Sequence, residues 1–460
     1  MRDISNLSLW HATMPAAEWN PRPALPGGTS VDVAIVGGGY TGLWTAYYLH
    51  RADPTLRIAV VEAEMVGFGA SGRNGGWCSA LLPMGLDAMT QSHGRDAAVR
   101  LQRAMNATVA EVGAVAAAEG IDCHFAHGGY LNMARSSMQA ERIKADIAHQ
   151  RSFGFGDDDV RWLDPEEAAA RLDISRGQGA AFTPHCAAIH PARLARGLAR
   201  AVEAQGTTIY EQTRVSEIAP RRVATDHGTV TADVVVRATE AFTPALKGLR
   251  RAVAPIYSLM IATEPLPDEV FDSIGLRSRE TFNDDRRMII YGQRTADNRF
   301  AFGGRGAPYH FGSAMKPEYD RNKVVHDGLR ETLRELFPQI GDVTVAHRWG
   351  GAVAAARDWW CSTGFDKASG MAWAGGYVGD GVGTTNLAGR TLADLITGAD
   401  SDLVDLPWVG HRSRKWEPEP LRFIGINGMV KLPVSADAYE ERTGKPEKWR
   451  SAITAKLTGH

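Results

Sequence analysis

Val31-Asp32-Val33-Ala34-Ile35-Val36-Gly37-Gly38-Gly39-Tyr40-Thr41-Gly42 reads as an apolar strand running straight into a Gly-x-Gly-x-x-Gly turn. Leu43-Trp44-Thr45-Ala46-Tyr47-Tyr48-Leu49 follows with helix-like spacing, and a second apolar run, Ile58-Ala59-Val60-Val61, ends in Glu62 and Ala63. The order is strand, glycine turn, helix, strand, acid. Gly37 permits the tight turn, Gly39 lets the backbone approach a pyrophosphate, and Gly42 lets the helix pack close to the strand. The phosphates then sit at the helix start beside Tyr40 and Thr41, where free N–H groups and the helix dipole favour anions. Glu62 is placed to accept hydrogen bonds from both ribose hydroxyls, and it repels a 2′-phosphate. The bare glycine pattern recurs by chance in a chain with 49 glycines. The flanking strand, helix and terminal acid make it read as dinucleotide binding.

The next loop separates flavin from nicotinamide. Gly67-Phe68-Gly69-Ala70-Ser71-Gly72-Arg73-Asn74-Gly75-Gly76-Trp77 carries a hydroxyl, a guanidinium and an amide just after the ribose-binding strand. A nicotinamide-binding half has no need of it, whereas FAD takes contacts along its ribityl chain and ring. Gly69, Ala70, Ser71, Arg73, Asn74, Gly75 and Gly76 are the expected contacts, and Trp77 is read as either pocket roof or core. A third element, Gly375-Gly376-Tyr377-Val378-Gly379-Asp380-Gly381-Val382-Gly383-Thr384-Thr385, again follows an apolar run and precedes a helical stretch. A helix start aimed at the flavin would stabilise the negative charge that builds on reduction, through Gly379, Gly381, Val382, Gly383 and Thr384.

At 460 residues the chain is too long for one ordinary core, so two interleaved domains are expected. With 51 Lys and Arg against 53 Asp and Glu, nothing argues for nucleic acid or an anionic membrane. Cys78, Cys123, Cys186 and Cys361 show no metal-type spacing, and no metal site or disulfide scaffold is expected. The start, Met1-Arg2-Asp3-Ile4-Ser5-Asn6, is too polar for a signal peptide and no apolar run reaches spanning length, so the expectation is a cytoplasmic protein. Residues 15–28, with Pro21, Pro23 and Pro26, read as a lead-in wrapping the surface. A helix is predicted over 191–204, ended by Gly206, with short strands at 207–210 and 213–215 and a returning strand at 233–239. Residues 128–133, 256–261, 288–291 and 299–304 read as strand-like runs.

Four blocks together resemble the FAD-dependent D-amino-acid-oxidase/glycine-oxidase superfamily, in the branch that includes γ-glutamylputrescine oxidoreductases: 33–42 with Glu62, 68–77, 189–218 and 375–385. The resemblance implies an α/β fold, a Rossmann-like FAD-binding domain of the glutathione-reductase type interleaved with an α+β substrate domain on an antiparallel sheet. It assigns 28–85, 163–247 and 341–400 to the FAD domain, 86–162 and 248–340 to the substrate domain, and 401–460 to a C-terminal extension. It also implies a backbone contact from Val215 to the adenine and a flavin contact at Gly351.

In such enzymes an amine or amino acid loses a hydride to the flavin and the resulting imine is hydrolysed. Arg305, at a strand end where relatives put a cation, is the candidate for holding a substrate carboxylate or serving the flavin. Tyr257 and Tyr291 are candidate pocket walls, His310 a candidate acid or base, and Trp359 or Trp360 a candidate aromatic face. Strand packing for the tyrosines, polar surface for the histidine and core for the tryptophans are the alternatives. Sarcosine-oxidase-type members attach flavin through a cysteine shortly after the block matched by Trp349-Gly350-Gly351, where this chain has Gly351 and Ala352. Dimethylglycine-dehydrogenase-type members use a histidine in the loop matched by Ser71-Gly72, so here FAD is expected to be non-covalent. Gly381-Val382-Gly383 stands where sarcosine oxidases carry a substrate-binding lysine, which argues against an N-methylglycine substrate. The reading is an FAD-dependent amine or amino-acid oxidoreductase acting on a small molecule, with a γ-glutamylated polyamine as the nearest substrate type. The alternatives are a dehydrogenase using an acceptor other than oxygen, a flavin-binding protein without turnover, and a plain NAD dehydrogenase.

Overall fold

A computed structural model describes residues 4–447 and 449–450. Met1-Arg2-Asp3 of the polar start, and positions 448 and 451–460 of the extension, lie outside the described residues. The first sheet runs in the order Ser362–Asp366, Met371–Gly375, Thr229–Arg237, Thr29–Val36, Ile58–Val61, Thr208–Tyr210. Thr29–Val36 is parallel to both neighbours, with Val36 opposite Arg237 on one side and Val61 on the other. Val33, Ala34, Ile35 and Val36 are all buried, as a parallel strand covered on both faces must be. The carboxyl ends line up along one edge, and the glycine turns emerge there.

One face carries helices Tyr40–Ala52, Arg95–Ala118, Pro191–Ala204 and Gly381–Thr397, which bring Leu43, Trp44, Met105, Leu198 and Leu387 into a single core. The first and last of these helices cross closely, since a Cβ on Gly389 would lie 2.7 Å from Trp44 Cβ. The other face buries Leu25, Val36, Val223 and Val235 beside the antiparallel pair Val215–Ala219 and Arg222–Thr225. The helix predicted over 191–204 is Pro191–Ala204, with His190 as its cap and Pro191 at its first position. The strand expected at 213–215 begins only at Val215. Upstream, Thr213 N–H donates to Glu62 O and Arg214 N–H to the Asp226 side chain, so neither enters the ladder with Arg222–Thr225.

The second sheet is ordered Val345–Ala355, Ala254–Thr263, Phe300–Gly304, Ile290–Arg294, Thr281–Asp284, Tyr130–Met133, Ala180–Thr183, Arg161–Leu163. All its pairs are antiparallel except Thr281–Asp284 with Tyr130–Met133. Helix Lys323–Leu336 covers it, packing Leu329 and Leu333 among Phe282, Phe300, Phe302 and Phe337.

The expected domain limits need correction at three places. Val345–Ala355 pairs along its whole length with Ala254–Thr263, and Ala180–Thr183 pairs with Tyr130–Met133, so both belong to the antiparallel sheet. Arg95–Ala118 instead joins the core of the parallel sheet. The apolar face of each segment, not its position along the chain, selects its layer. The lead-in also differs from a surface wrap: Leu25 is buried, and upstream of it Leu9 and Trp10 enter a core with Met260 and Trp349. In the extension, Leu406 and Trp408 close the first core, while Trp416 and Ile426 pack beside Ala254 and Tyr309.

Candidate functional site

A long cleft follows the carboxyl edge of the parallel sheet. Gly37 there has φ of +114°, and a Cβ would lie 2.4 Å from Ala238 O, so only glycine makes this turn. A Cβ on Gly42 would lie 2.1 Å from Gly37 O, so Gly42 brings the helix against the turn behind the cleft wall. Gly39 caps Tyr40–Ala52 without a side-chain cap bond, leaving the helix start open to an anion except that Tyr40 N–H donates to Ser71 Oγ at 2.9 Å. Gly37, Gly39, Tyr40, Thr41, Glu62, Ala63, Gly69, Ala70, Ser71, Asn74 and Val215 line this cleft, joined by Gly379, Gly381 and Val382 from the far end of the chain.

Glu62 accepts from Gly38 N–H at 2.8 Å and from Glu64 N–H at 2.9 Å. Burial raises its carboxyl above the usual range against the opposing pull of those two amides. Glu240 also lines the cleft and was not foreseen. It accepts from Gly376 N–H at 2.9 Å and Tyr377 N–H at 3.3 Å, and burial pushes its pKa up to about 7. Tyr377 and Thr41 share a hydrogen bond at 3.1 Å, so the first and third glycine loops are bound to one another.

A second cavity opens from this cleft at Ala70, Asn74, Val353, Gly379 and Val382, which line both. Arg73, Gly75, Trp77, Gly351, Tyr291, Arg305 and Asp380 belong to its wall. Tyr291 shares a hydrogen bond with Ser258 at 2.7 Å, and burial raises its phenol. The Trp77 ring lies 5.2 Å from that of Tyr130 and 6.0 Å from that of Tyr291, forming an aromatic wall. Arg305 Nη2 donates to Val378 O at 2.7 Å, with the guanidinium 5.6 Å from the Trp359 ring centre. Arg73 donates to Asp320 at 2.8 Å and to Gly350 O at 3.3 Å, tying the flavin-type loop to Val345–Ala355. Asp380 sits beside Arg305, and burial raises its pKa to about 6 with Arg305 opposing.

Several expected residues lie elsewhere. Tyr257 lines neither hollow: strand alternation turns Ser258 into the cavity and Tyr257 to the opposite face, among Leu259, Ala307 and Ala352. Gly76 is a packing position, where a Cβ would meet Gln293 Nε2 at 2.0 Å. Gly383 packs on Ser79 O, 2.5 Å from where a Cβ would stand, and Thr384 is fully buried. His310 stacks on Tyr319 outside both hollows, and Trp360 stacks on His411. Among the described residues no cysteine or histidine lines either hollow.

A glycine-turn cleft on a parallel sheet, joined to a cavity roofed by an antiparallel sheet, defines a dinucleotide-dependent enzyme of the flavin type. Residues 32–395 match the family described as DAO, FAD dependent oxidoreductase, and the chain belongs to that family. It is 31% identical over 406 residues to a probable oxidoreductase OrdL of Rhizobium meliloti (strain 1021), covering 86% of this chain and 89% of that protein. It is 30% identical over 413 residues to the gamma-glutamylputrescine oxidoreductase of Escherichia coli (strain K12), covering 86% and 92%. The crystal structure of glycine oxidase from Geobacillus kaustophilus superposes with a TM-score of 0.69 at 22% identity, over 83% of this chain and 99% of that one. The protein is thus an FAD-dependent oxidoreductase. The open helix start, the Ser71 hydroxyl and the Glu62 carboxylate are the donor and acceptor set that FAD requires. No helix among the described residues is long and apolar enough to cross a membrane.

Proposed function

We propose that the protein oxidises the C–N bond of a small amine or amino acid, giving an imine that water hydrolyses. The observation that carries this reading is the cavity opening from the cofactor cleft, with an aromatic wall of Trp77, Tyr130 and Tyr291 and the charges of Arg305 and Asp380. FAD supplies, when bound, the acceptor for a hydride. Gly39 and Ser71 hold its phosphate end, Glu62 its ribose, and Gly379 to Val382 the end that meets the cavity. The aromatic wall excludes water from the reacting carbon. Arg305 holds a carboxylate on the substrate. Similarity to a gamma-glutamylputrescine oxidoreductase supports an amine with a distal carboxylate, such as a γ-glutamylated polyamine. The four cysteines are unpaired and buried, which supports a reducing compartment, the cytoplasm. The absence of cysteine and histidine from the described walls supports non-covalent FAD.

The test is an anaerobic screen of amines and amino acids read at the flavin absorbance. Bleaching by an amine supports the reading. No bleaching across a broad panel favours a flavin-binding protein without turnover. Reoxidation of the bleached enzyme by air or only by a quinone separates an oxidase from a dehydrogenase.

A further inference from the structure

Aspartate is a favoured helix cap because its carboxylate accepts from the first free N–H groups. Asp380 stands at the cap of Gly381–Thr397 and makes no such bond. Its carboxylate faces the second cavity instead, where it is the one acid on the wall among the described residues. Of the two other charges there, Arg73 is paired with Asp320, while Arg305 gives one N–H, on Nη2, to Val378 O and keeps the rest of its guanidinium for the cavity. Arg305 stands near enough to lower the Asp380 pKa, yet no ion pair within 4.0 Å joins them among the described residues. The other titratable groups that feel Asp380 are Tyr291, Cys186 and Cys361, and burial holds all of them neutral. The cavity therefore presents one half-buried carboxylate with nothing bound to it, beside an aromatic wall suited to a cation.

We infer that Asp380 is the residue that receives the substrate nitrogen, binding the ammonium form and taking its proton, while Arg305 holds the carboxylate of the same molecule. This rests on the proposed amine oxidation and narrows it to substrates carrying both charges. The balance is simple. The N–H bond of the ammonium breaks, its electron pair stays on nitrogen, and the proton forms an O–H bond on Asp380. The free amine then loses one C–H bond, with hydrogen and two electrons passing to the FAD oxidant, and the nitrogen lone pair closes the C=N bond. Asp380 suits the first step because its raised pKa of about 6 makes it a better proton acceptor than an exposed aspartate.

The experiment is anaerobic titration of the holoenzyme with butylamine, butyrate and 4-aminobutyrate, read as perturbation or bleaching of the flavin spectrum. Wild type is expected to bind 4-aminobutyrate more tightly than either single-charge probe, and to lose amine binding as pH falls through about 6. In Asp380→Asn the amine probes are expected to weaken by at least about tenfold while butyrate is unchanged, and the pH dependence disappears. Asp380→Ser, which offers a hydroxyl to the helix start, gives the same pattern if the first variant holds FAD poorly. Equal weakening of all three probes, unchanged amine binding in both variants, or no response of wild type to any probe overturns the assignment. Amine oxidation itself stands or falls separately, on whether any amine of the wider screen bleaches the wild-type flavin.

Discussion

Replacing Glu62 by glutamine tests the cofactor cleft at its most informative point. The carboxylate lies at the end of Ile58–Val61 and already accepts from Gly38 and Glu64 N–H, at 2.8 and 2.9 Å. Alanine would strand both amides, confusing folding with binding. Glutamine keeps the volume and the acceptor of one of the two backbone amides, so it strands one where alanine strands both, but it loses the charge and puts an NH2 where an acceptor is needed. One charge-assisted ribose bond is therefore lost, about 1.5–3 kcal/mol, or roughly one to two decades in Kd. The assay is reconstitution of apoprotein with FAD and, separately, with FMN, followed by quenching of flavin fluorescence. FMN lacks the adenosine ribose, so its affinity is expected to hold while that of FAD falls. Unchanged FAD affinity, or equal loss for FMN, would refute a ribose role for Glu62.

Acid precipitation is expected to release all flavin to the supernatant, and colour retained in a washed pellet would contradict non-covalent binding. Glu240 has a folded pKa of about 7 against an ordinary 4.5, so its protonated form stabilises the fold fully below pH 4.5 and that contribution is lost as pH rises through 7. Apoprotein melting is expected to fall over this window by the equivalent of at most about 3 kcal/mol, and Glu240→Gln to flatten the slope. Gly42→Ala drives a Cβ to 2.1 Å from Gly37 O, and urea unfolding is expected to show a loss of about 1–3 kcal/mol together with weakened FAD binding. Arg305→Met is expected to weaken butyrate by about 1.5–3 kcal/mol in the anaerobic titration, and wild-type affinity would return Arg305 to a structural role at a strand end.

The parts of the cleft made by contiguous chain were legible. Gly37, Gly39 and Gly42 act within a few residues of each other, and Glu62 follows one strand later, so their spacing alone encodes the geometry. The helix over 191–204 was equally legible, from its periodicity and Pro191. Glu240 was not, because its partners are Gly376 and Tyr377, more than a hundred positions away, and no local pattern announces such a clamp. Tyr257 misled for a related reason. A strand gives its two faces no label, and only pairing with Ala352 shows which one meets the cavity. Asp380 was visible only as a residue inside a glycine loop, since its missing cap bond exists solely in three dimensions.

The clasp of Glu240 on Gly376 and Tyr377, with Thr41 reaching the same tyrosine, bears on how the molecule is born. Nascent chain through Glu62 already contains the phosphate turn, but Met371–Gly375 pairs with Thr229–Arg237 only after Gly375 itself has left the ribosome, more than three hundred residues later. Until then the turn has no third loop beside it, and closing so long a loop is what slows sheets with distant partners. FAD therefore meets its complete cleft late in synthesis, and the half-built sheet spends that interval with an uncovered edge. Supply of flavin during expression, and shelter for that edge, govern how much of the protein reaches the assembled state.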